Sequence, residues 1–347
     1  MSARGSAASG APAVRSSSGP GRAGVSAGRT LYAYVTDNAE KSLTVVNLST
    51  FKIHRIPTGI YGFDSVVTPD GRWAYETSFG LNGKTGTQVV PVDLADGKAL
   101  KPLPAGLGTN DTILSPNGKT VFIADMGTFL YASTTGLEVV DAYTVSTLDT
   151  ATNTVGPRIT VGPGPGALAM TPDGRTLWVT LTGTAQHPVD QIIPVSWPSR
   201  QVGRPVTVGT APMAIAITPD DKEAVVANTG CGRVASGDSV SVIDLRSNLV
   251  VATVRVGLGP VGIAVSPDGT TAWVALEGGP SPGPPGTRSS PSTSPPDRPA
   301  APCRLAPIPT PSPSPTGPPP GADPGPLLGQ GATRGWAWVC NAHRQLC

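Results

Sequence analysis

The sequence predicts an all-β chain built from one structural unit that is repeated along most of its length. A tight turn recurs at regular spacing, and short apolar stretches of two kinds flank each copy. The composition agrees, because 43 glycines and 39 prolines among 347 residues, with only 14% charged residues, favour many turns and short strands over long helices.

The recurring turn has the form Ser/Thr-Pro-Asp/Asn-Gly. Proline presets φ at the second position and glycine accepts the positive φ that closes a tight hairpin, so each copy is predicted to join two antiparallel strands. The spacing from proline to proline is 47, 56, 47 and 48 residues. The five copies are residues 68–71, 115–118, 171–174, 218–221 and 266–269, and the fourth ends in Asp221 instead of glycine.

Four strands, a to d, are predicted in each unit. Strand a precedes the turn and alternates apolar with small residues, as at Ile215 and Ile217. Strand b follows the turn and places an aromatic before an aliphatic residue, as in Trp178-Val179, which indicates a strand covered on both faces. Strand c corresponds to residues 43–48, 89–94, 192–195 and 240–245, and strand d ends in Val-Gly at 161–162, 208–209 and 256–257.

Four short strands in about 47 residues match one blade of a β-propeller, whereas a β-sandwich would not require the repeat. The predicted fold is therefore a β-propeller of four-stranded antiparallel blades, with four complete blades and partial blades at both ends. We expect a disordered leader at residues 1–30, the propeller repeats at 31–276 and a Pro-rich low-complexity tail at 277–347.

The motifs resemble those of the YVTN-repeat (YncE-like) β-propeller family over about residues 31–276. The resemblance rests on Tyr34-Val35-Thr36-Asp37-Asn38, on the Trp-Val-Thr and Val-Val-Ala-Asn copies of strand b, and on the recurring turns. It implies a ring of seven blades, a role in binding or at a surface, and export or attachment to the cell envelope; related propellers include lactonases. Residues 1–30 contain no apolar stretch typical of a signal peptide, so localisation stays open.

The repeats are too few for seven blades. One alternative is a ring of five blades in which the last strand a completes the first blade, and the other is an open ring with exposed edges. The tail has 71 residues, of which 19 are proline, and it shows no strand alternation. Two hypotheses fit this tail: a shifted reading frame, or a genuine disordered stalk.

Few kinds of partner or cofactor are indicated. A net charge of +2, with scattered Lys and Arg, argues against nucleic-acid binding. The four cysteines show no Cys-x-x-Cys spacing, so neither zinc nor haem is predicted, and no other cofactor is indicated. No stretch is long and apolar enough for a transmembrane segment.

Three acidic residues that interrupt the repeat form the predicted binding site. Glu76 stands where the other copies of strand b carry valine or isoleucine, and a carboxylate buried there requires a partner. Asp64 and Asp111 lie near the start of strand a in adjacent blades, where the later blades have alanine or glycine. The alternative is that these acids only cap turns and bind water.

The b–c and d–a loops of a propeller lie on one face. Asp64 and Asp111 are therefore expected near the mouth of the central channel. Long b–c insertions at residues 126–136, 185–190 and 231–238 are expected to rim the same face and shape a pocket.

The leading functional hypothesis is a non-enzymatic binding or scaffold protein that recognises a small molecule, a glycan or a protein on this face. The rival is a lactonase-like hydrolase or another propeller enzyme, in which Asp64, Asp111 and Glu76 hold a metal or act as general bases. A third alternative is a truncated product without function.

Overall fold

The computed structural model describes residues 5–7, 31–37, 39–78, 80–81, 84–127, 141–184, 187–230 and 237–276. Within these ranges the protein contains strands and turns and no helix. Six antiparallel sheets follow one another along the chain, and a separate two-stranded sheet, a hairpin, lies in one of the loops. Consecutive sheets pack face to face, and the innermost strands of sheets 2 to 6 contact one another in order. This arrangement confirms the predicted all-β propeller architecture.

Each sheet is an antiparallel meander that starts at the innermost strand, and in sheets 2 to 4 the outermost strand consists of two short pieces. Sheet 1 contains β1 (Gly5–Ala7), β2 (Tyr32–Asp37), β3 (Ser42–Asn47) and β4 (Ile53–Pro57). Sheet 2 contains β5 (Asp64–Val67), β6 (Trp73–Thr77), β9 (Gln88–Asp93), β10 (Lys98–Ala99) and β11 (Leu103–Pro104). The loop between β6 and β9 forms a separate hairpin of β7 (Gly80–Leu81) and β8 (Lys84–Thr85).

The later sheets repeat this order of strands. Sheet 3 contains β12 (Thr109–Leu114), β13 (Thr120–Gly127), β14 (Asp141–Asp149), β15 (Thr154–Val155) and β16 (Ile159–Thr160). Sheet 4 contains β17 (Pro165–Met170), β18 (Thr176–Gly183), β19 (Pro188–Ser196), β20 (Gln201–Val202) and β21 (Val206–Thr207). Sheet 5 contains β22 (Pro212–Ile217), β23 (Glu223–Asn228), β24 (Ser239–Asp244) and β25 (Leu249–Arg255), and sheet 6 contains β26 (Pro260–Val265) and β27 (Ala272–Leu276).

The recurring turn closes each a–b hairpin with its own polar side chains. In sheet 4 the Thr171 hydroxyl donates to Asp173 Oδ1 at 2.6 Å and accepts the Thr176 N–H at 2.9 Å, while Asp173 Oδ1 accepts the Arg175 N–H at 2.9 Å. Gly174 takes a φ of +71°, which glycine adopts without steric cost. These bonds satisfy the turn backbone and hold strands a and b in one register.

The strand b motif sets how neighbouring sheets pack. Phe122 of sheet 3 lies in one buried core with Val179 of sheet 4, and Trp178 of sheet 4 lies in one buried core with Val226 of sheet 5. The aromatic residue therefore faces the next sheet and the aliphatic residue after it faces the preceding one. The strand pattern indicated cover on both faces, and stacked sheets provide it.

The two ends of the stack differ from the five-bladed closure considered above. The last strand a, β26, pairs with β27 in sheet 6 and does not enter sheet 1. The innermost position of sheet 1 is taken by β1, whose residues Gly5–Ala7 pair with Ala33–Val35. β1 lies within the segment expected to lack regular structure; residues 8–30 and the tail 277–347 lie outside the described residues.

Candidate functional site

Asp64 and Asp111 both lie at the start of an innermost strand, as predicted, but their carboxylates bond to protein backbone. Asp64 Oδ2 accepts the Thr112 N–H of the next sheet at 2.8 Å, and Asp111 Oδ2 accepts the Leu168 N–H of the sheet after that at 2.7 Å. Asp64 is fully buried and Asp111 nearly so. A carboxylate that accepts buried N–H groups stabilises the fold, and here it ties neighbouring innermost strands together.

These carboxylates accept backbone N–H groups that lie where the hydrogen-bonded pairing of strands a and b is irregular. The pairing of β12 with β13 shifts between Thr109 and Thr112, and that of β17 with β18 shifts between Pro165 and Leu168. Such an irregularity leaves a backbone group without a ladder partner. The acids of sheets 2 and 3 supply that partner from the preceding sheet.

Glu76 is fully buried and faces sheet 1. A Cβ on Gly62, in the connection from sheet 1, would lie 2.0 Å from Glu76 Oε1, so this connection packs against the carboxyl group. Glu76 lies opposite Ser65 across the a–b hairpin. Among the described residues, neither carboxyl oxygen of Glu76 nor the Ser65 hydroxyl has a hydrogen-bond partner.

Burial is the main reason that the pKa of Glu76 is raised to about 7. The nearby Thr58 hydroxyl opposes the shift and the negative charge of Asp37 adds to it. Thr58 donates its own proton to the Lys41 carbonyl oxygen at 3.1 Å. The neutral form of Glu76 therefore persists to higher pH than that of an exposed glutamate, and near pH 7 the neutral and charged forms coexist.

The three predicted site residues do not converge on one point. Glu76 lies between sheets 1 and 2, Asp64 reaches from sheet 2 to sheet 3, and Asp111 reaches from sheet 3 to sheet 4. Within the described part of the chain, no three His, Cys, Asp or Glu side chains are grouped closely enough to hold a metal ion. Much of the predicted rim, residues 128–136, 185–186 and 231–236, lies outside the described residues, so the shape of the rim stays a prediction.

One buried acid, Asp125, was not singled out from the sequence. Its Oδ2 accepts the hydroxyls of Thr144 at 2.6 Å and Ser146 at 2.8 Å, and Ser146 Oγ accepts the Gly106 N–H at 3.1 Å. Burial raises the pKa of Asp125 to about 6, and these hydroxyl bonds oppose the shift. Through Ser146, these hydrogen bonds hold Gly106, in the connection between sheets 2 and 3, against sheet 3.

Asn228 plays the same part in sheet 5, where it accepts the Gly209 N–H at 2.9 Å and donates to Ser239 and Ser241. Both residues occupy the fourth position of the strand b motif. That shared position is the signal by which Asp125 was recognisable.

A cavity of about 400 Å³ lies along the innermost strands of sheets 3 to 6. Asp111 lies at its d–a end, and the prolines of the recurring turns lie at its other end. Between them the side chains that line the cavity are apolar, and the larger ones are Ile113, Leu168, Met170, Ile215, Ile217, Ile263 and Val265. Such a cavity suits the apolar part of a ligand better than a polar reaction centre.

No family model and no curated protein matches the chain. Solved structures do resemble it. One is a functionally unknown protein from Desulfotomaculum acetoxidans DSM 771, with a TM-score of 0.57 and 17% identity over 71% of this chain and 73% of that chain. The likeness is one of fold.

A second solved structure is hydrazine synthase from Kuenenia stuttgartiensis, with a TM-score of 0.47 and 17% identity over 71% of this chain and 89% of that chain. Among the described residues, no helix has the length and apolar character needed to cross a membrane.

Proposed function

We propose that this protein is a non-enzymatic binding propeller, related to the YVTN-repeat family, which holds the apolar part of a ligand or partner in its central channel. The observation that carries the proposal is the apolar cavity of about 400 Å³ along the innermost strands of sheets 3 to 6. A cavity of this size accommodates a small molecule or the apolar side chains of an inserted peptide.

The acids at the channel support binding over catalysis. A general base needs a carboxylate oxygen within reach of the substrate proton, and a metal site needs several oxygen or nitrogen ligands that converge. Asp111 lines the cavity, but its Oδ2 is engaged by the Leu168 N–H, and Asp64 is fully buried and engaged by the Thr112 N–H. Removing either carboxylate would thus disturb the packing of sheets before it disturbed any reaction.

The side chains that line the cavity also indicate which class of ligand it suits. A glycan presents hydroxyl groups that the aliphatic lining does not satisfy, and burying them unpaired is costly. An aliphatic or aromatic group in the channel, with a polar end near Asp111, fits the lining. We therefore favour an amphipathic small molecule or a peptide over a sugar.

Fluorescence of the apolar probe 8-anilinonaphthalene-1-sulfonate tests this proposal. Ala216 lines the cavity, and Ala216→Phe should fill part of it and remove most of the bound fluorescence. Val251→Phe is the matched control, because Val251 is 56% exposed on the outermost strand of the same sheet. Equal probe binding by the two variants would contradict a channel site.

A panel of lactones tests the enzymatic alternative. We expect the purified chain to leave lactones unhydrolysed. Hydrolysis by the native chain that is lost in Asp111→Ala, while the circular dichroism spectrum is unchanged, would overturn the non-enzymatic proposal.

A further inference from the structure

One packing rule holds at all five interfaces between consecutive sheets. The first residue of the strand b motif, such as Trp178 in Trp178-Val179, points into the core shared with the next sheet, and the second residue points towards the preceding sheet. The residues at the first position are Tyr34, Tyr75, Phe122, Trp178 and Val225 in sheets 1 to 5, and each is at most 5% exposed.

The same position in sheet 6 is not covered. Trp273 follows the motif, yet it is 41% exposed, and Ala275 on the same face is also exposed. The opposite face of β27 is buried, since Val274 lies in one core with Val225 of sheet 5. Among the described residues, no sheet follows sheet 6 to cover this aromatic residue.

Sheet 1 shows the complementary feature. Its face directed away from sheet 2 carries Ala33, Val35 and Val46, all only partly buried. The equivalent residues of sheet 5 are Ala224, Val226 and Ile243, and these are fully buried against sheet 4. Within the part of the chain that the structure describes, no sheet precedes sheet 1 to cover this face.

The two unmatched faces lie at opposite ends of the stack. Within the described residues, sheet 1 packs against sheet 2 and sheet 6 packs against sheet 5, and sheets 1 and 6 form no packed interface with each other. The face of sheet 6 has the aromatic residue that the internal interfaces use on that side, and the face of sheet 1 has the small and aliphatic residues that receive it. The two faces could therefore pack on each other in the same way as consecutive sheets pack inside the stack.

We infer that two copies of this chain associate head to tail, with the Trp273 face of sheet 6 in one copy packed on the Val35 face of sheet 1 in the next. The contact is heterologous, since it joins different surfaces of the two copies, and so it adds further copies with increasing concentration. Burial of Trp273 and of the aliphatic residues provides the driving force.

Two variants of the full chain test this inference. Trp273→Glu removes the donating face and Val35→Asp removes the receiving face, while each variant keeps the other face intact. Light scattering coupled to size exclusion should show that the mass of the native chain rises between about 1 and 100 µM, the range in which modest interfaces associate. Each variant alone should remain a monomer.

Mixing the two variants is the decisive step. One intact interface is restored in the mixture, so we expect a heterodimer and nothing larger. Val251→Glu, a change on the exposed outer strand of sheet 5, is the control and should associate like the native chain.

Three results would overturn the inference. A native chain that stays monomeric while Trp273→Glu lowers its urea midpoint would mean that the two faces meet within one chain. If the mixture yields no heterodimer although both variants give the native circular dichroism spectrum, these two faces do not mediate the association. Association that persists in both variants would place the contact elsewhere.

Discussion

Sheets 3 and 6 contain the same a–b hairpin but bury it differently. In sheet 3, β13 is buried along nearly its whole length, whereas in sheet 6, β27 alternates between buried and more exposed residues. Both strands carry an aromatic residue followed by an aliphatic one. Among the described residues, sheet 3 has a neighbouring sheet on each side and sheet 6 has one. Neighbouring sheets, more than the strand's own sequence, therefore determine burial.

The largest effect is expected from truncating the aromatic residue inside the stack. Phe122 is fully buried between sheets 3 and 4, so Phe122→Ala should lower the free energy of unfolding by about 3–5 kcal/mol. Trp273→Ala is the matched change at the end of the stack, and it should cost roughly 1 kcal/mol or less in the monomer, because Trp273 is 41% exposed. Urea unfolding at low protein concentration measures both; equal losses would contradict the difference between inner and end sheets.

The buried acid between sheets 1 and 2 gives the next effect. The pKa of Glu76 is raised above its ordinary value of 4.5 to about 7, so its neutral form stabilises the native state below pH 4.5 and that contribution is lost as the pH rises towards 7. Glu76→Gln should therefore be more stable than the native chain at pH 8, by up to about 3 kcal/mol, and similar to it at pH 4.

Asp125 also has a raised pKa, so it makes the stability of both the native chain and Glu76→Gln fall as the pH rises. Subtracting one free energy of unfolding from the other cancels this contribution and leaves that of Glu76. Glu40→Gln is the control, because Glu40 forms an exposed ion pair with Arg55. A Glu76→Gln difference that does not change between pH 4 and pH 8 would show that the pKa of Glu76 is not raised in the folded chain.

A smaller loss is expected at the link between the innermost strands of sheets 3 and 4. Asp111→Ala removes the acceptor of the Leu168 N–H and should cost about 1–3 kcal/mol, since a buried donor is left without that partner. Asp111→Asn keeps an oxygen acceptor and should cost less. Thermal unfolding of the two variants distinguishes them, and identical losses would indicate that the carboxylate does not act through this bond.

Most of the fold was predictable because the repeat encodes it locally. The Ser/Thr-Pro-Asp-Gly turn fixes each hairpin, and the paired large residues of strand b indicate cover on both faces. The strand Gly5–Ala7 was not predictable, since three small residues carry no alternation, and they pair because the inner edge of Ala33–Val35 offers backbone groups that need partners.

The positions of the acids were predictable, but their bonding was not. Comparing repeats placed Asp64 and Asp111 at the start of strand a and Glu76 in a covered strand. Which N–H each carboxylate meets depends on ladder irregularities in the neighbouring sheet, and those depend on pairing between distant segments. Asp125 was recognisable only by comparison with Asn228.

Native-state hydrogen exchange, measured by mass spectrometry on the dilute monomer, tests the central claim most directly. The claim is that the described residues form an open stack of sheets in which the outer face of sheet 1 and that of sheet 6 do not pack on each other. It predicts that amides of Thr120–Gly127 exchange most slowly and that those of Ala272–Leu276 and Tyr32–Asp37 exchange much faster. Equal protection of all three strands at low concentration would show that the end faces are already covered within one chain, and would contradict the open stack.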